Sequence, residues 1–117
     1  MAKSKTPTIF IQIASYRDPE LVKTIEDCIT NAKNPKNLRF GICRQYNDED
    51  GFDNIDEFRE DPRFKIADIP YTEAKGLAYA RSVINEKLLT DEDFLLQLDS
   101  HHRFTENWDN ILLEMYD

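Results

Sequence analysis

The chain has 117 residues, with 15 Lys and Arg against 23 Asp and Glu and a net charge of −8. That length holds one domain with a modest core, and 40% hydrophobic with 11% aromatic residues excludes a disordered chain. The acidic balance argues against a general nucleic-acid surface, which needs clustered Lys and Arg, and no apolar run approaches the roughly 20 residues that cross a bilayer.

Residues 8–14, TIFIQIA, are an Ile-rich apolar run followed by turn residues, which predicts a buried strand. Asp18-Pro19 then reads as a helix start, a side-chain cap before proline at the first helical position. Leu21, Val22, Ile25, Cys28, Ile29 and Ala32 follow at helical spacing. Asn34-Pro35 ends that helix. Residues 38–44, LRFGICR, predict a second strand. Positions 48–61 hold eight acids in fourteen residues, with one short helical turn near Ile55 to Phe58. The stretch reads as a solvated loop that carries most of the acidic excess, away from any ligand site. Residues 63–69, RFKIADI, predict a third strand. From Thr72 to Leu89 the pattern is helical, with Leu77, Ala80, Val83, Ile84 and Leu88 as its apolar stripe. Gly76 falls in the first turns of this helix, where it costs about 1 kcal/mol relative to Ala and reads either as a close backbone approach or as a tolerated glycine. After a polar turn, residues 94–98, FLLQL, predict a fourth strand. Thr105 reads as the cap of a last helix carrying Trp108, Ile111, Leu112 and Met115.

This alternation implies an α/β fold, a mostly parallel sheet with helices on both faces. In such sheets ligands bind beyond the carboxyl ends of the strands, where the strand order reverses. With the order 3-2-1-4, the first and fourth strands share a crevice. The residues at the strand tips are then the candidates: Ser15, Tyr16, Arg17 and Asp18; Arg44, Gln45, Tyr46 and Asn47; Asp99, Ser100, His101 and His102.

Asp99-Ser100-His101 is the sharpest local feature. A carboxylate and an imidazole two residues apart, just past a strand, suit Mn²⁺, Fe²⁺ or Zn²⁺. Two ligands do not complete a site, and the same residues also make an ordinary polar turn. Arg81 reads either as a surface ion pair with Glu86 or Asp93 or as a guanidinium aimed at a diphosphate or a loop carboxylate. Tyr16 and Tyr46 read as stacking faces or as rim aromatics. Cys28 and Cys43 have neither metal-ligand nor scaffold spacing and read as core thiols of a reduced, intracellular protein. MAKSKTPT contains no apolar stretch of a signal peptide. No G-x-G-x-x-G or Walker pattern occurs.

Gly76-Leu77, Ala80-Arg81, Asp99-Ser100-His101 and Trp108 occur here in the order that resembles the nucleotide-sugar half of GT-A glycosyltransferases. The D-S-H form is similar to that of the polypeptide GalNAc-transferases. FIQIASYRDPEL, QLDSHHRF and NWD resemble more closely the cytoplasmic-type GlcNAc-transferases that include the enzyme modifying hydroxyproline on Skp1. The resemblance covers Ile9 to Leu113. It implies a Rossmann-like GT-A fold and transfer of GlcNAc or a related sugar from a UDP-sugar to an acceptor hydroxyl on a protein or glycan, with retention of configuration.

By the same resemblance, Asp99 and His101 hold a divalent metal, Mn²⁺, that bridges the diphosphate. Ser15, Tyr16 and Arg17 line the uridine and ribose pocket, and Arg81 binds donor phosphates or sugar or braces the metal loop. Arg44 or Gln45 stands where relatives place an aspartate against uracil. Residues 1–117 correspond to the N-terminal donor-binding part of such a domain, a truncated sheet expected to be inactive alone and to leave apolar surface for self-association. No residue is assigned as the catalytic base. A non-catalytic nucleotide-sugar-binding or self-associating domain is the alternative, and a metal-dependent hydrolase is a third. Neither nucleic acid nor membrane is an expected partner, and the cytoplasm is the expected compartment.

Overall fold

A computed structural model describes residues 7–73, 76–87, 94–100 and 103–115, with Leu77, Ala78, Asn85, Glu86, Lys87 and Asp99 described by backbone alone. The chain winds around β1 (Ile9–Tyr16), seven of whose eight residues are buried, so both of its faces are covered. β2 (Leu38–Tyr46) and β4 (Phe94–Asp99) flank β1, and β3 (Phe64–Pro70) lies outside β2. All pairs are parallel, as the alternation of elements predicts, and the order is β3-β2-β1-β4, the one that puts β1 and β4 side by side. The result is a small, Rossmann-like α/β sheet whose order reverses between β1 and β4.

Successive residues of a strand face opposite sides, and β1 uses this to build two cores. Ile9, Ile11 and Ile13 pack with Leu21, Ile25 and Cys28 of α1 (Leu21–Thr30) and with Trp108 of α3 (Trp108–Glu114). Phe10 and Ala14 pack on the other side with Cys43 and with Ala80, Val83 and Ile84 of α2 (Leu77–Lys87). The helices therefore cover both faces. None among the described residues is long and apolar enough to cross a membrane.

Gly41 makes the second core possible. A Cβ on it would stand 2.1 Å from Phe10 Cζ and 3.0 Å from Ile84 Cγ2. The Phe10 ring lies across the β2 backbone, so close approach belongs to Gly41 and not to Gly76. Gly76 has no atom within 4 Å of its would-be Cβ and a φ of +96°. It lies before α2, not inside it, and supplies the left-handed turn by which the chain enters the helix. The predicted helix from Thr72 is thus two pieces: a 3₁₀ turn over Tyr71–Glu73, then α2. Residues 74–75 and 88–93, including Leu88 and Asp93, lie outside the described residues.

Other boundaries shift for local reasons. α1 begins at Leu21, and Asp18 acts one step earlier by accepting the Glu20 N–H at 2.8 Å. α1 stops at Thr30 because Asn31 turns back, its amide donating to Asp27 O at 3.0 Å. Thr105 does not cap α3 with its side chain. The preceding residue, Asn107, sits at φ 59°, and the Thr105 carbonyl accepts the Trp108 N–H at 3.2 Å. On α3, Trp108 is buried and Leu112 is half-buried, but Ile111 and Met115 are 51% and 75% exposed.

Both thiols are buried. Burial pushes Cys43 up to about 11 and raises Cys28 as well, with Asp109 and Asp27 adding to the effect at Cys28. Neither forms a thiolate near neutrality. In the native protein at pH 8, a disulfide-exchange dye is expected to titrate no thiol rapidly, and in urea to titrate two. Rapid native labelling at pH 8 would contradict the burial of these thiols.

Candidate functional site

The carboxyl ends of β1, β2 and β4 meet at one edge of the molecule. The register aligns Ala14 with Cys43 on one side and with Asp99 on the other. A cavity of about 170 Å³ opens there, lined by Ala14, Tyr16, Gln45 and Gly76. Tyr16 is 54% exposed at its mouth.

Gln45 is buried, and its orientation is fixed. Its Nε2 donates to the Ser15 carbonyl at 3.2 Å, and its Oε1 accepts nothing from the described residues. An oxygen in place of Nε2 would face another oxygen, so the amide cannot be reversed. Gln45, a residue of the cavity lining, thus has a buried acceptor without a donor among the described residues. Ser15 Oγ, also buried, has no partner among them either. Buried polar groups are normally paired, so both call for a partner such as a water or a bound group.

The arginines at the strand tips are already engaged. Arg17 donates to Asp50 from Nε at 2.7 Å and from NH2 at 3.2 Å, and its guanidinium lies 5.0 Å above the Tyr71 ring. The pair holds the Asp50 carboxyl below the usual carboxylate range. Arg17 itself has φ 49°, a left-handed conformation, and its N–H is tied to the Gln45 carbonyl at 3.0 Å. Arg44 donates to Asp68 at 2.9 Å, reaches Asp53 Oδ1 at 3.4 Å and lies 4.8 Å above the Tyr46 ring. Tyr46 is therefore a platform for Arg44.

Asp53 is fully buried, and its Oδ2 has no partner among the described residues. Burial raises its pKa against the pull of Arg44. The acid-rich stretch is thus more than a solvated loop. Asp50 and Asp53 hold the arginines of β1 and β2, and Ile55 is buried in the core between them and β3. The loop packs against the crevice instead of lying away from it.

Arg81 stands on α2 and donates from NH1 to Gln12 Oε1 on β1 at 3.1 Å. Gln12 is fully buried in the middle of the strand. This bond places Arg81 on the sheet face below the strand tips.

β4 ends at Asp99, and His101 and His102 lie outside the described residues. The residue between Asp99 and His101 is well anchored. Ser100 Oγ donates to Asp18 Oδ2 at 2.5 Å, and the Ser100 carbonyl accepts the Thr24 hydroxyl at 2.8 Å. Further contacts along the same helix tie down the segment after the turn. Asp27 accepts the Phe104 N–H, Arg103 pairs with Glu20, and Trp108 Nε1 donates to the Cys28 carbonyl at 2.8 Å. Asp109, 2% exposed, accepts the N–H of Lys33 and of Asn34 at 2.6 and 2.8 Å.

The strand-tip reading misses Thr24. Its signal was a hydroxyl inside the apolar stripe Leu21, Ile25, Cys28. Among the described residues, no group of three or more His, Cys, Asp or Glu is arranged to hold a metal.

The glycosyltransferase family model described as Glycosyltransferase (GlcNAc) matches residues 8–61 and 51–117. A comparison with curated proteins gives no match. The match runs through both walls of the crevice, from the β1 and β2 tips to the anchored turn after β4. The chain belongs to the GlcNAc glycosyltransferase family, and its chemistry is glycosyl transfer.

Proposed function

We propose that this chain is the donor-binding portion of a metal-dependent GT-A transferase that moves GlcNAc from UDP-GlcNAc to an acceptor hydroxyl on a cytoplasmic protein, in the hydroxyproline-modifying branch of the family. The observation that carries the reading is the cavity at the β1 and β2 tips, with its unmatched Gln45 acceptor. Uracil presents an N–H donor flanked by carbonyls, and the fixed Oε1 of Gln45 complements it. Tyr16 offers a face for stacking at the mouth. Of the two residues that stand in place of the family's aspartate, Gln45 takes the base and Arg44 is held by Asp53 and Asp68.

The electrostatics support the need for a metal. Arg17 and Arg44 are neutralised by carboxylates, and Arg81 is bonded to Gln12. Arg81 keeps its charge, since Gln12 is a neutral amide, but a diphosphate carries more than one negative charge and calls for a further source of positive charge. A carboxylate and imidazole donor set, Asp99 with His101, fits Mn²⁺, and Asp99 ends β4 beside Ala14 at the cavity. When bound, such an ion supplies Lewis-acid stabilisation of the departing nucleoside diphosphate. This chain's own residues orient the base, through Gln45 and Tyr16, and fix the turn, through Asp18, Thr24 and Ser100.

Calorimetry with UDP-GlcNAc tests the reading. Binding is expected with Mn²⁺ and is expected to weaken about tenfold or more without it, or in Asp99→Ala and His101→Ala. Gln45→Leu is expected to weaken it about tenfold with the metal present, from the loss of one buried hydrogen bond. Equal affinity with and without metal removes the metal from the proposal. The absence of any binding, together with a stable dimer, favours the self-associating alternative. The exposed Leu95 on the β4 edge and Ile111 and Met115 on α3 give that alternative its surface.

A further inference from the structure

The largest cavity described lies at the opposite end of the sheet from the crevice, where β2 and β3 begin. Its volume is about 450 Å³, and Pro35, Lys36, Arg39, Asp61, Pro62 and Arg63 line it. That volume is in the range that takes a drug-sized ligand or a few residues of peptide.

Its charge runs against that of the molecule. Three cations and one carboxylate line the groove of a chain whose net charge is −8. Arg63 belongs to the wall: it grips Asp61 through Nε and NH2, at 3.0 and 2.6 Å, and donates to the Pro35 carbonyl at 2.9 Å. Among the described residues Arg39 spends only NH1, on the carbonyls of Lys36 and Leu38, both at 2.8 Å. Its Nε and NH2 hydrogen-bond to none of them, although its charge acts on Asp61. Lys36 is exposed and pairs with no carboxylate among the described residues. The two prolines give rigid apolar walls between these cations.

We propose that this groove binds a short acidic peptide segment of a partner protein, with a carboxylate on Arg39 and Lys36 and an apolar side chain between Pro35 and Pro62. The local surplus of two cations attracts a carboxylate. The acidic remainder of the molecule repels nucleic acid or an anionic membrane, whose charge extends beyond the groove. The apolar walls favour a peptide over a bare anion, because burying a neighbouring side chain adds to the ion pairs. Six residue steps along β2, from Arg39 to Gln45, separate the groove from the crevice by roughly 20 Å, at about 3.3 Å per residue. A partner held here therefore leaves the donor site open.

Fluorescence anisotropy with the full chain and a labelled Glu-Phe-Glu peptide tests this. Binding is expected to weaken about tenfold for the Gln-Phe-Gln analogue and about fivefold in Arg39→Gln or Lys36→Gln, and to fall as salt rises to about 0.5 M. Lys36→Gln breaks no bond of the fold, so it keeps the test valid if Arg39→Gln disturbs the turn before β2. Equal binding of the two peptides, or insensitivity to both substitutions, overturns the proposal. Displacement by equimolar inorganic phosphate overturns the peptide assignment and makes the groove a simple anion site. UDP-GlcNAc affinity is expected to stay unchanged in Lys36→Gln, and a parallel loss would overturn the independence of the two sites.

Discussion

Gly41→Ala is expected to destabilise the protein by about 3 kcal/mol, the upper end of the cost of overpacking a core. The added methyl meets Phe10 Cζ at 2.1 Å and Cε1 at 2.9 Å, with Ile84 Cγ2 at 3.0 Å behind them. Phe10 is fully buried on the central strand, so its ring has little room to withdraw. The measurement is the urea midpoint, with the slope checked for constancy. A Phe10→Leu background separates steric conflict from backbone preference. The cost of Gly41→Ala should shrink there, because the offending ring atoms are gone. An equal cost in both backgrounds would place the effect in the strand backbone.

The second large effect is expected at Asp109. Asp109→Ala removes a carboxylate that is 2% exposed and accepts two backbone N–H groups, those of Lys33 and Asn34. Two donors lose charged partners at once, which costs about 3 kcal/mol. Asp109→Asn is expected to cost nearly as much. One of its two terminal atoms becomes a donor, and that donor then faces an N–H. Amide exchange at Lys33 and Asn34 should accelerate in both variants, and unchanged protection there would show that the carboxylate is not their partner in solution.

The sheet was legible because its strands carry the pattern of burial on both faces. TIFIQIA and LRFGICR are apolar at successive positions, and such runs belong in the interior of a parallel sheet. The alternation of elements carried the parallel pairing but not the strand order, since alternating chains form sheets of more than one order. Gly76 was misplaced because periodicity continues through it. Leu77, Ala80 and Ile84 keep helical spacing whether or not residue 76 is helical, and only φ separates the two cases.

The acidic stretch was misjudged for a related reason. Composition averages over Asp48–Asp61, whereas the fold uses Asp50, Asp53 and Ile55 individually. The strand-tip rule located the crevice and brought Tyr16 and Gln45 together. It did not foresee that Arg17 and Arg44 come with acidic partners, since these lie 33 and 9 residues along the chain. Thr24 lies within an apolar stripe, where periodicity marks Leu21, Ile25 and Cys28 and passes over the hydroxyl among them.

The division of β1 between two cores has a consequence for how the native state opens. Among the described residues, the α1 and α3 side carries the larger buried cluster and the hydrogen bonds accepted by Cys28, Asp27 and Asp109. Among the described residues, the α2 side packs Phe10, Ala14, Cys43, Ala80, Val83 and Ile84. Cooperative units of unequal burial detach at unequal free energies. On these described contacts α2, which follows the Gly76 wall of the cavity, is expected to open first, while Ser100 at the end of β4 stays fastened to the α1 side. Donor binding across that cavity would join the two units, so a ligand there should suppress partial opening of α2 more than it raises global stability.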